Sequence, residues 1–541
     1  MAEKRLFGKL RLDCPLLIAV HIPPRMRSVL AVFSTAFLAF LGLQFVSSDF
    51  VDPDAYYHIV MAELPFYRLS RFPWLSATTL RDEFADLHLL YHLLLRPFVA
   101  LDRIIGAKVA TALFSAAAAT TLFWFMRRLR LPLPRFWTFA AFAFSMGGLL
   151  RYNLVKANAL ALIFLLLALW AMLEGRWKTV LVIAAIFTLT YGAALLLPAL
   201  AGLFTLVKYA EVRGWLSKWA QGLGVMSEGT VHRFPWRPMA YTLAGMALGL
   251  LSHPQFPTSF SLFTRALQVI NRPPSTIQSA FHEWNVFDPR TLLVSSLPLV
   301  ALWAGGIGLR LRRGSWTGLE AFVVSASIFM LALTLRHGRF VEYWAPFAAF
   351  SAAITLREKA HQWSRRIASE RTYWWGVLIL ASIPIWINIG VTTVRLRAGG
   401  QFISVVKNAV LWLAEHSEEG AIVFHTRWDQ FPHLFFWNQR NYYITGLDPV
   451  YVYFHDPGLH WQLWHFQQDH AGICKAEHCG PMSVEEQDRS IAEAIVKDFR
   501  ASYVLVVKKE NPQLNAALTR QSRVFRRVYE DPQVIIYKVH P

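Results

Sequence analysis

The sequence predicts a polytopic α-helical membrane protein with a smaller α/β domain at its C-terminal end. Of its 541 residues, 55% are hydrophobic and only 16% are charged, and its mean hydropathy is +0.34. A single water-soluble core of ordinary composition does not need so many apolar residues. Apolar runs near the roughly 20 residues that cross a bilayer recur along the chain. They lie at 29–47, 106–126, 136–150, 159–173, 238–252, 291–309, 318–335, 340–356 and 373–393.

The run 179–207 is long enough for two short spans, which brings the prediction to about eleven spans. Basic residues set their orientation, because short loops rich in Lys and Arg stay in the cytoplasm. The basic clusters lie at 4–27, 127–135, 176–178, 208–237, 310–313 and 357–371. With about eleven spans, all of these clusters fall on one side of the membrane. The outward side receives 48–105, 151–158, 253–290, 336–339 and 397–541.

The N-terminal segment predicts an uncleaved anchor. A basic stretch leads there into a span of full membrane length, without a small-residue cleavage site. We therefore expect a multi-pass protein of a bacterial inner membrane, with a cytoplasmic N-terminus and a periplasmic C-terminal domain. The net charge of +19 does not indicate nucleic-acid binding, because the basic residues lie between spans and not in one patch.

A change of pattern near Ala398 divides the chain into two predicted domains. Residues 1–396 form the membrane domain with its outer loops, and residues 400–541 form an outer α/β domain. Strands are expected in the outer domain at 420–424, 442–444, 502–507 and 534–539, with a helix at 484–499. Cys474 and Cys479 of this domain form either a local disulfide or two free thiols.

The first outer loop begins with three carboxylates, those of Asp49, Asp52 and Asp54, followed by His58. Charge beside lipid is costly, so such a cluster suggests function. Carboxylates at this position could bind a metal, or orient and polarise a nucleophile. The alternative is a solvated turn that caps the following helix. The spacing alone does not decide between the two interpretations.

A second cluster in the same loop contains Asp86, His88 and His92. On a helix, His88 and His92 would share one face, and such a pair can bind a metal ion. The flanking leucines also fit an amphipathic helix at the membrane interface. In the absence of a third ligand, the interfacial helix is the favoured interpretation.

Two arginines, Arg336 and Arg339, lie at the outer membrane boundary, against the usual placement of positive charge. Guanidinium groups bind phosphate or pyrophosphate with two hydrogen bonds, which would explain them there. The alternative is that they reach to lipid headgroups.

In the outer domain, the stretch from His425 to His433 follows a predicted strand, and a further stretch from Tyr442 to Pro449 comes after it. Loops at strand ends often bind ligands. The aromatic and acidic residues of the first stretch, Trp428 and Asp429, suit stacking and hydrogen bonding to a polar substrate. A structural loop filled by aromatic side chains is the alternative.

These segments together resemble the catalytic subunits of oligosaccharyltransferases and their bacterial relatives, GT-C glycosyltransferases that use polyprenyl-linked sugar donors. The similarity lies in motif order and topology over nearly the whole chain. The segment that contains Asp52 and Asp54 is similar to the family's first acidic motif, with Asp54 matching its catalytic aspartate. Glu283 is similar to the acid of the TIXE motif. Arg339 is similar to the arginine near the donor pyrophosphate.

Two motifs depart from the family pattern. Trp428 and Asp429 stand where the family has WWDYG, but the motif is incomplete, so an Asn-X-Ser/Thr acceptor does not follow. The loop 151–158 stands where the family has a second acidic motif, yet it contains no carboxylate. It contains Lys156 instead, which could supply positive charge. This departure weakens the expectation, implied by the resemblance, that Asp52 and Asp54 hold Mg²⁺ or Mn²⁺.

The resemblance implies transfer of a sugar or oligosaccharide from a polyprenyl-linked donor to a protein or glycan acceptor, at the outer face of a lipid membrane. Asp54 would be the catalytic group, assisted by Asp52 or Glu283. The donor phosphate would be bound by Arg339, Arg336 and Lys156, and the acceptor by Trp428, Asp429 and His58. The alternatives are a flippase or other transporter of a lipid-linked glycan and a non-catalytic scaffold. A transporter would carry charged residues within its spans and often paired repeats, whereas these spans are nearly free of acids.

Overall fold

The computed structural model describes residues 24–213, 235–271, 288–313, 316–369, 371–399 and 401–540. Helices make up the part of the chain before residue 400. They are α1 (Pro24–Gln44), α2 (Asp54–Glu63), α3 (Leu89–Val99), α4 (Arg103–Arg128), α5 (Pro134–Ala143), α6 (Met146–Arg151), α7 (Asn158–Leu173), α8 (Trp177–Thr190), α9 (Leu196–Val212), α10 (Arg237–Leu251), α11 (Thr258–Asn271), α12 (Pro289–Ser295), α13 (Leu297–Arg313), α14 (Gly318–Arg336), α15 (Val341–Thr355), α16 (Arg357–Ser369) and α17 (Arg371–Ala398).

Every predicted apolar run coincides with one or two of these helices, but a count of about eleven spans is not confirmed. Within the described ranges, four segments are long and apolar enough to cross a membrane, and the bent pair α12 and α13 adds a fifth if it forms one span. The four are Met26–Gln44, Arg103–Arg128, Gly192–Val212 and Gly318–Arg336. Other runs form shorter helices. The run 136–150 is split where Ser145 accepts a hydrogen bond from the Gly148 N–H and so begins α6.

The outer domain combines further helices with one sheet. Its elements are α18 (Gln401–His416), β1 (Ile422–Phe424), α19 (Phe431–Trp437), β2 (Tyr442–Tyr443), α20 (Val450–His455), α21 (Pro457–Gln467), α22 (Val484–Glu493), β3 (Tyr503–Val507), α23 (Pro512–Arg520), β4 (Phe525–Glu530) and β5 (Val534–Val539). The strand order is β2-β1-β3-β5-β4. β1 is parallel to β2 and β3, and β5 is antiparallel to β3 and β4.

The sequence predicts four of the five strands and misses β4. Every residue of the central strand β3 is buried, which produces the continuous apolar run that identifies it. β4 lies at the edge of the sheet and exposes Arg526 and Arg527. A register shift between Arg527 and Tyr529 interrupts its alternation. An edge strand with this pattern does not show the regular period of two.

The outer domain packs directly on the first outer loop. The Tyr443 N–H donates to Trp74 O at 2.8 Å, and the Ser76 N–H donates to Tyr443 O at 2.8 Å. The Tyr56 ring of α2 lies 5.2 Å from the Phe436 ring of α19. One continuous core includes buried side chains from both parts of the chain. α17 ends at Ala398, near the expected boundary, but the division into domains at 396–400 stays a prediction, since the core continues across it.

The two cysteines of the outer domain, Cys474 and Cys479, are joined by a disulfide. Of the two alternatives that the sequence leaves open, the structure has the bonded one.

Candidate active site

Asp52, Asp54 and Lys156 form one cluster at the start of α2. Lys156 Nζ lies 2.9 Å from Asp52 Oδ2 and 2.9 Å from Asp54 Oδ2. The exposed fractions of the side chains are 7% for Lys156, 10% for Asp52 and 30% for Asp54. Asp54 is therefore the carboxylate of this pair that a substrate can reach most easily.

Asp52 has a structural role in the acidic turn. Asp52 Oδ1 accepts a hydrogen bond from the Asp54 N–H at 3.2 Å, so Asp52 does organise the turn before α2. The other oxygen of Asp52 faces the ammonium of Lys156. The turn thus serves to present two carboxylates to one cation.

The residues present do not fit the divalent cation that the resemblance implies. Mg²⁺ and Ca²⁺ are bound by several oxygens at about 2.0–2.6 Å. Here an ammonium already lies within hydrogen-bonding distance of both carboxylates, where a metal bridging them would have to be. The loop 151–158, which would have to add a further oxygen ligand, brings Lys156 instead. The positive charge between Asp52 and Asp54 is therefore supplied by the side chain of Lys156.

Glu342, a residue to which the sequence analysis gives no role, fixes the loop that carries Lys156. It is fully buried in α15, and its Oε2 accepts hydrogen bonds from Arg151 Nε at 2.7 Å and from Asn158 Nδ2 at 3.2 Å. The Tyr152 hydroxyl donates to Glu342 O at 2.5 Å. Both ends of the loop are therefore attached to one acid. An acidic residue in the apolar run 340–356 was the signal that could have found it.

Arg339 lies half-buried between α14 and α15, three residues before Glu342. Its Nη2 donates to the Tyr191 hydroxyl at 2.6 Å. Arg336, by contrast, is exposed, and its Nε lies 3.3 Å from His337 Nε2. Of the two outer arginines, Arg339 is therefore the one that is oriented by a residue distant in sequence, Tyr191, which directly follows α8.

A buried chain of hydrogen bonds runs from His58 through His92 to Asp86. His58 Nδ1 lies 2.8 Å from His92 Nε2, and His92 Nδ1 lies 2.6 Å from Asp86 Oδ2. Burial lowers the pKa of His58 well below its ordinary value, and the nearby His92 and His88 rings and Lys156 lower it further. Burial would raise the pKa of Asp86, but His92 and His88 outweigh that effect and lower it. His58 is therefore uncharged at neutral pH.

These hydrogen bonds give His92 of the second cluster a structural role. α3 exposes Leu93 and Leu94, as an interfacial helix does, but His92 is fully buried. His92 is hydrogen-bonded to both Asp86 and His58 and is not a surface residue. His58, the hydrogen-bonding partner of His92, is far away in sequence but adjacent in the fold, so local sequence does not reveal the pair.

In the outer domain, Trp428 and Asp429 follow the end of β1, as expected. Both side chains are half-buried. Arg427 binds the Asp429 carboxylate with two hydrogen bonds, from Nε to Oδ1 at 3.0 Å and from Nη2 to Oδ2 at 2.6 Å. The structure therefore gives Asp429 a clear role in shaping its own loop. Its contact with an acceptor stays a prediction, as does that of Trp428.

Asp448 is a second residue to which the sequence analysis gives no role. It is half-buried in the turn after β2 and interacts electrostatically with both Asp54 and Arg339. This brings a carboxylate of the outer domain to the membrane-domain cluster. The segment 275–284 that includes Glu283 lies outside the described residues, so the placement of Glu283 stays a prediction.

The fold is similar to that of solved membrane glycosyltransferases, whereas no family model and no curated protein matches the sequence. The oligosaccharyltransferase of Archaeoglobus fulgidus in its apo form shares 13% identity at a TM-score of 0.62, over 95% of this chain and 74% of that one. The archaeal oligosaccharyltransferase AglB of the same organism was solved in complex with an inhibitory peptide and a dolichol-phosphate. It shares 12% identity at a TM-score of 0.60, over 95% of this chain and 74% of that one.

ArnT from Cupriavidus metallidurans, bound to undecaprenyl phosphate, shares 12% identity at a TM-score of 0.50, over 94% of this chain and 98% of that one. AglB and ArnT are both GT-C glycosyltransferases. The chain therefore has the GT-C fold, and the resemblance inferred from its motifs is confirmed at the level of the fold. The fold alone does not assign the reaction.

Replacing Glu342 with Gln should destabilise the protein, because it leaves the buried Arg151 without a counter-charge. Loss of one partner from a buried ion pair costs about 3–5 kcal/mol. The measurement is thermal unfolding of the detergent-solubilised protein, in which Glu342→Gln should lower Tm by several degrees. Glu358→Gln, which removes an exposed ion pair, is the control and should leave Tm nearly unchanged. An unchanged Tm for Glu342→Gln would contradict the role given to Glu342.

The wild-type chain should not bind Mn²⁺ at Asp52 and Asp54, whereas Lys156→Asp should create a site of three carboxylates there. Electron paramagnetic resonance of added Mn²⁺ measures this directly, without any knowledge of the substrate. The site gained in Lys156→Asp should disappear when Asp52→Asn is added. Mn²⁺ binding by the wild type that Asp52→Asn abolishes would show that a cation does fit.

Proposed function

We propose that the chain transfers a sugar or oligosaccharide from a polyprenyl-phosphate-linked donor to an acceptor at the extracytoplasmic face of the membrane. The observation that supports this proposal is the ion pair of Lys156 with Asp54, together with the electrostatic interactions that connect Arg339 to the same group of residues. Lys156 is paired with Asp54. Arg339 and Lys156 both perturb the titration of His88, and Asp54 and Arg339 both perturb that of Asp448. Charges of both signs therefore converge, as a group-transfer reaction requires.

On the donor side, Arg339 stabilises the leaving phosphate. The bond between the anomeric carbon and the phosphate oxygen breaks, and its electron pair stays on the phosphate. A guanidinium offers two parallel hydrogen bonds to such a group. Lys156 adds positive charge on the side of Asp54. Arg336, which is more exposed, attracts the phosphate from solvent or from the membrane surface.

On the acceptor side, Asp54 orients the attacking group or takes its proton, while Asp52 and Lys156 hold Asp54 in position. His58 lies one helical turn after Asp54 and is fixed by His92 and Asp86. As a neutral imidazole, it can exchange hydrogen bonds with an acceptor hydroxyl or amide. Trp428 supplies an aromatic face for the acceptor. The reaction proceeds with Lys156 in place of a resident divalent cation.

The known ligands of proteins with this fold agree with this chemistry. ArnT from C. metallidurans was solved with undecaprenyl phosphate, and the archaeal AglB was solved with a dolichol-phosphate and an inhibitory peptide. A polyprenyl phosphate carrier is therefore the donor lipid that we propose for this chain. We propose that the protein lies in a bacterial inner membrane with the site facing the periplasm, and the distribution of basic residues supports this orientation.

The two alternatives receive no comparable support. A flippase would need charged residues along a path through the spans, whereas Asp54 and Arg339 meet at the outer ends of helices. A scaffold would not need a buried lysine that compensates two carboxylates.

Asp54→Asn should abolish product formation. Accumulation of a glycosylated product is compared by mass spectrometry in cells that carry the wild type, Asp54→Asn or Asp49→Asn, with expression and membrane insertion checked in all three. We expect a loss of about 100-fold or more for Asp54→Asn, because the attacking group loses the carboxylate that orients it or takes its proton. Asp49, a half-buried neighbour in the same loop, serves as the matched control and should retain activity. Full product with Asp54→Asn would remove Asp54 from the mechanism.

Arg339→Ala should weaken binding of undecaprenyl phosphate, the probe used here for the donor lipid. Native mass spectrometry of the purified protein measures the bound fraction. Hydrogen bonds to a charged group contribute about 1.5–3 kcal/mol, which corresponds to roughly 10- to 100-fold in affinity. Arg290→Ala, an exposed arginine at the start of α12, should bind the lipid as the wild type does. Equal binding by Arg339→Ala would contradict a donor-phosphate role for Arg339.

A further inference from the structure

We propose that Asp448, a carboxylate of the outer domain, is the base that takes the proton from the acceptor. This inference rests on the transfer reaction proposed above and assigns its proton-accepting group. Asp448 lies in the turn between β2 and α20, more than 390 residues after Asp54 in the sequence. The fold brings it within electrostatic reach of both Asp54 and Arg339.

The strand that leads to Asp448 is fixed to the first outer loop. Tyr443 of β2 exchanges backbone hydrogen bonds with that loop, donating to Trp74 O and accepting from the Ser76 N–H. The next residue continues the contact, because the Ala77 N–H donates to Ile444 O at 3.1 Å. The turn after β2 is thus held against the same loop that carries Asp54.

The turn itself has a strained backbone. Leu447 has φ of 64°, in the left-handed region that a branched residue rarely adopts. The Asp448 N–H donates to Gly446 O at 2.7 Å and closes the turn tightly. Gly446 lies so close to Phe431 that an added Cβ would be 2.4 Å from the ring Cγ. Strain of this kind costs about 1–3 kcal/mol and collects at functional sites.

The surroundings of Asp448 suit a base that works at neutral pH. Burial raises the pKa of Asp448 to about 7, with Asp54 raising it and the Val450 N–H and Arg339 lowering it. Oδ1 accepts the Val450 N–H at 2.8 Å, and Oδ2 accepts no hydrogen bond from the residues that the structure describes. The titratable and charged groups that act on it are Asp54, Arg339 and the following Tyr451.

Asp54 already has a partner in the cluster. The Lys156 ammonium lies 2.9 Å from its Oδ2, so this oxygen is occupied by an ion pair. We therefore assign the orientation of the acceptor to Asp54 and the removal of its proton to Asp448. An efficient base has a pKa near the working pH.

The acceptor O–H or N–H gives its proton to Asp448 Oδ2, and the freed electron pair forms the bond to the anomeric carbon of the donor. The bond from that carbon to the phosphate oxygen breaks, and its electrons leave with the phosphate. Asp448 then returns the proton to solvent. No metal, oxidant or further reactant is consumed.

A direct test needs no substrate. Infrared difference spectra of the purified full-length protein follow the protonated carboxyl bands as the pH is changed. The wild type should show one carboxyl group that titrates near pH 7, and Asp448→Asn should lack it. Asp498→Asn, which removes an outer-domain carboxylate bound to Lys475, is the control and should retain the band. Persistence of the band in Asp448→Asn, or its absence from the wild type, would overturn the assignment.

The second measurement is turnover, followed as free polyprenyl phosphate or pyrophosphate released from the endogenous lipid-linked donor in membranes that contain the chain. The wild-type rate should fall about tenfold per pH unit below pH 7 and level off above it, because only the ionised carboxylate accepts a proton. Asp448→Asn should lose about 100-fold or more and lose this pH dependence. Asp448→Glu should restore part of the rate together with the pH dependence.

The outcomes separate the two proposals. If Asp54→Asn and Asp448→Asn both retain the wild-type rate, the transferase proposal itself is wrong. If Asp54→Asn is inactive while Asp448→Asn keeps the wild-type rate and pH profile, the transferase proposal stands and only the role of Asp448 is wrong.

Discussion

The ion pairs of Lys156 with Asp52 and Asp54 are the constraint on which the outer site depends. Three mostly buried charges are brought together in this cluster, and each is tolerated because the others compensate it. The pairs also join two distant segments, the turn before α2 and the loop between α6 and α7. Glu342 holds the other side of that loop through Arg151 and extends the same network to α15. The helix that follows Arg339 is thereby fixed relative to the acid pair.

The outer domain adds a further carboxylate, that of Asp448, to this arrangement. Backbone hydrogen bonds between Tyr443 and the first outer loop attach the domain there. In the proposed reaction, the groups assigned to the donor belong to the helical part, and the turn after β2 contributes Asp448 from the other part. Ligand sites are frequent at junctions of this kind.

Much of the fold could be predicted from local pattern, and less of the site could be. The apolar runs and the buried strand β3 have a period or a length that identifies them, and the acids before α2 stand out because charge beside lipid is costly. The pairing of Arg151 with Glu342 joins residues 191 positions apart, which no local pattern reports. Asp448 lies within the stretch from Tyr442 to Pro449, but its significance depends on the turn at Leu447 and on its electrostatic interaction with Asp54. The sequence did indicate that Lys156 supplies charge, but not that it is paired with both acids.

The central claim is that this glycosyltransferase-like site carries its own cation in Lys156. Release of polyprenyl phosphate or pyrophosphate from the endogenous lipid-linked donor, measured in membranes with and without excess EDTA, tests this claim most directly, with Lys156→Ala measured in parallel. The account predicts that EDTA leaves the wild-type rate unchanged and that Lys156→Ala is inactive in both conditions. A wild-type rate that EDTA abolishes and added Mg²⁺ or Mn²⁺ restores would contradict it.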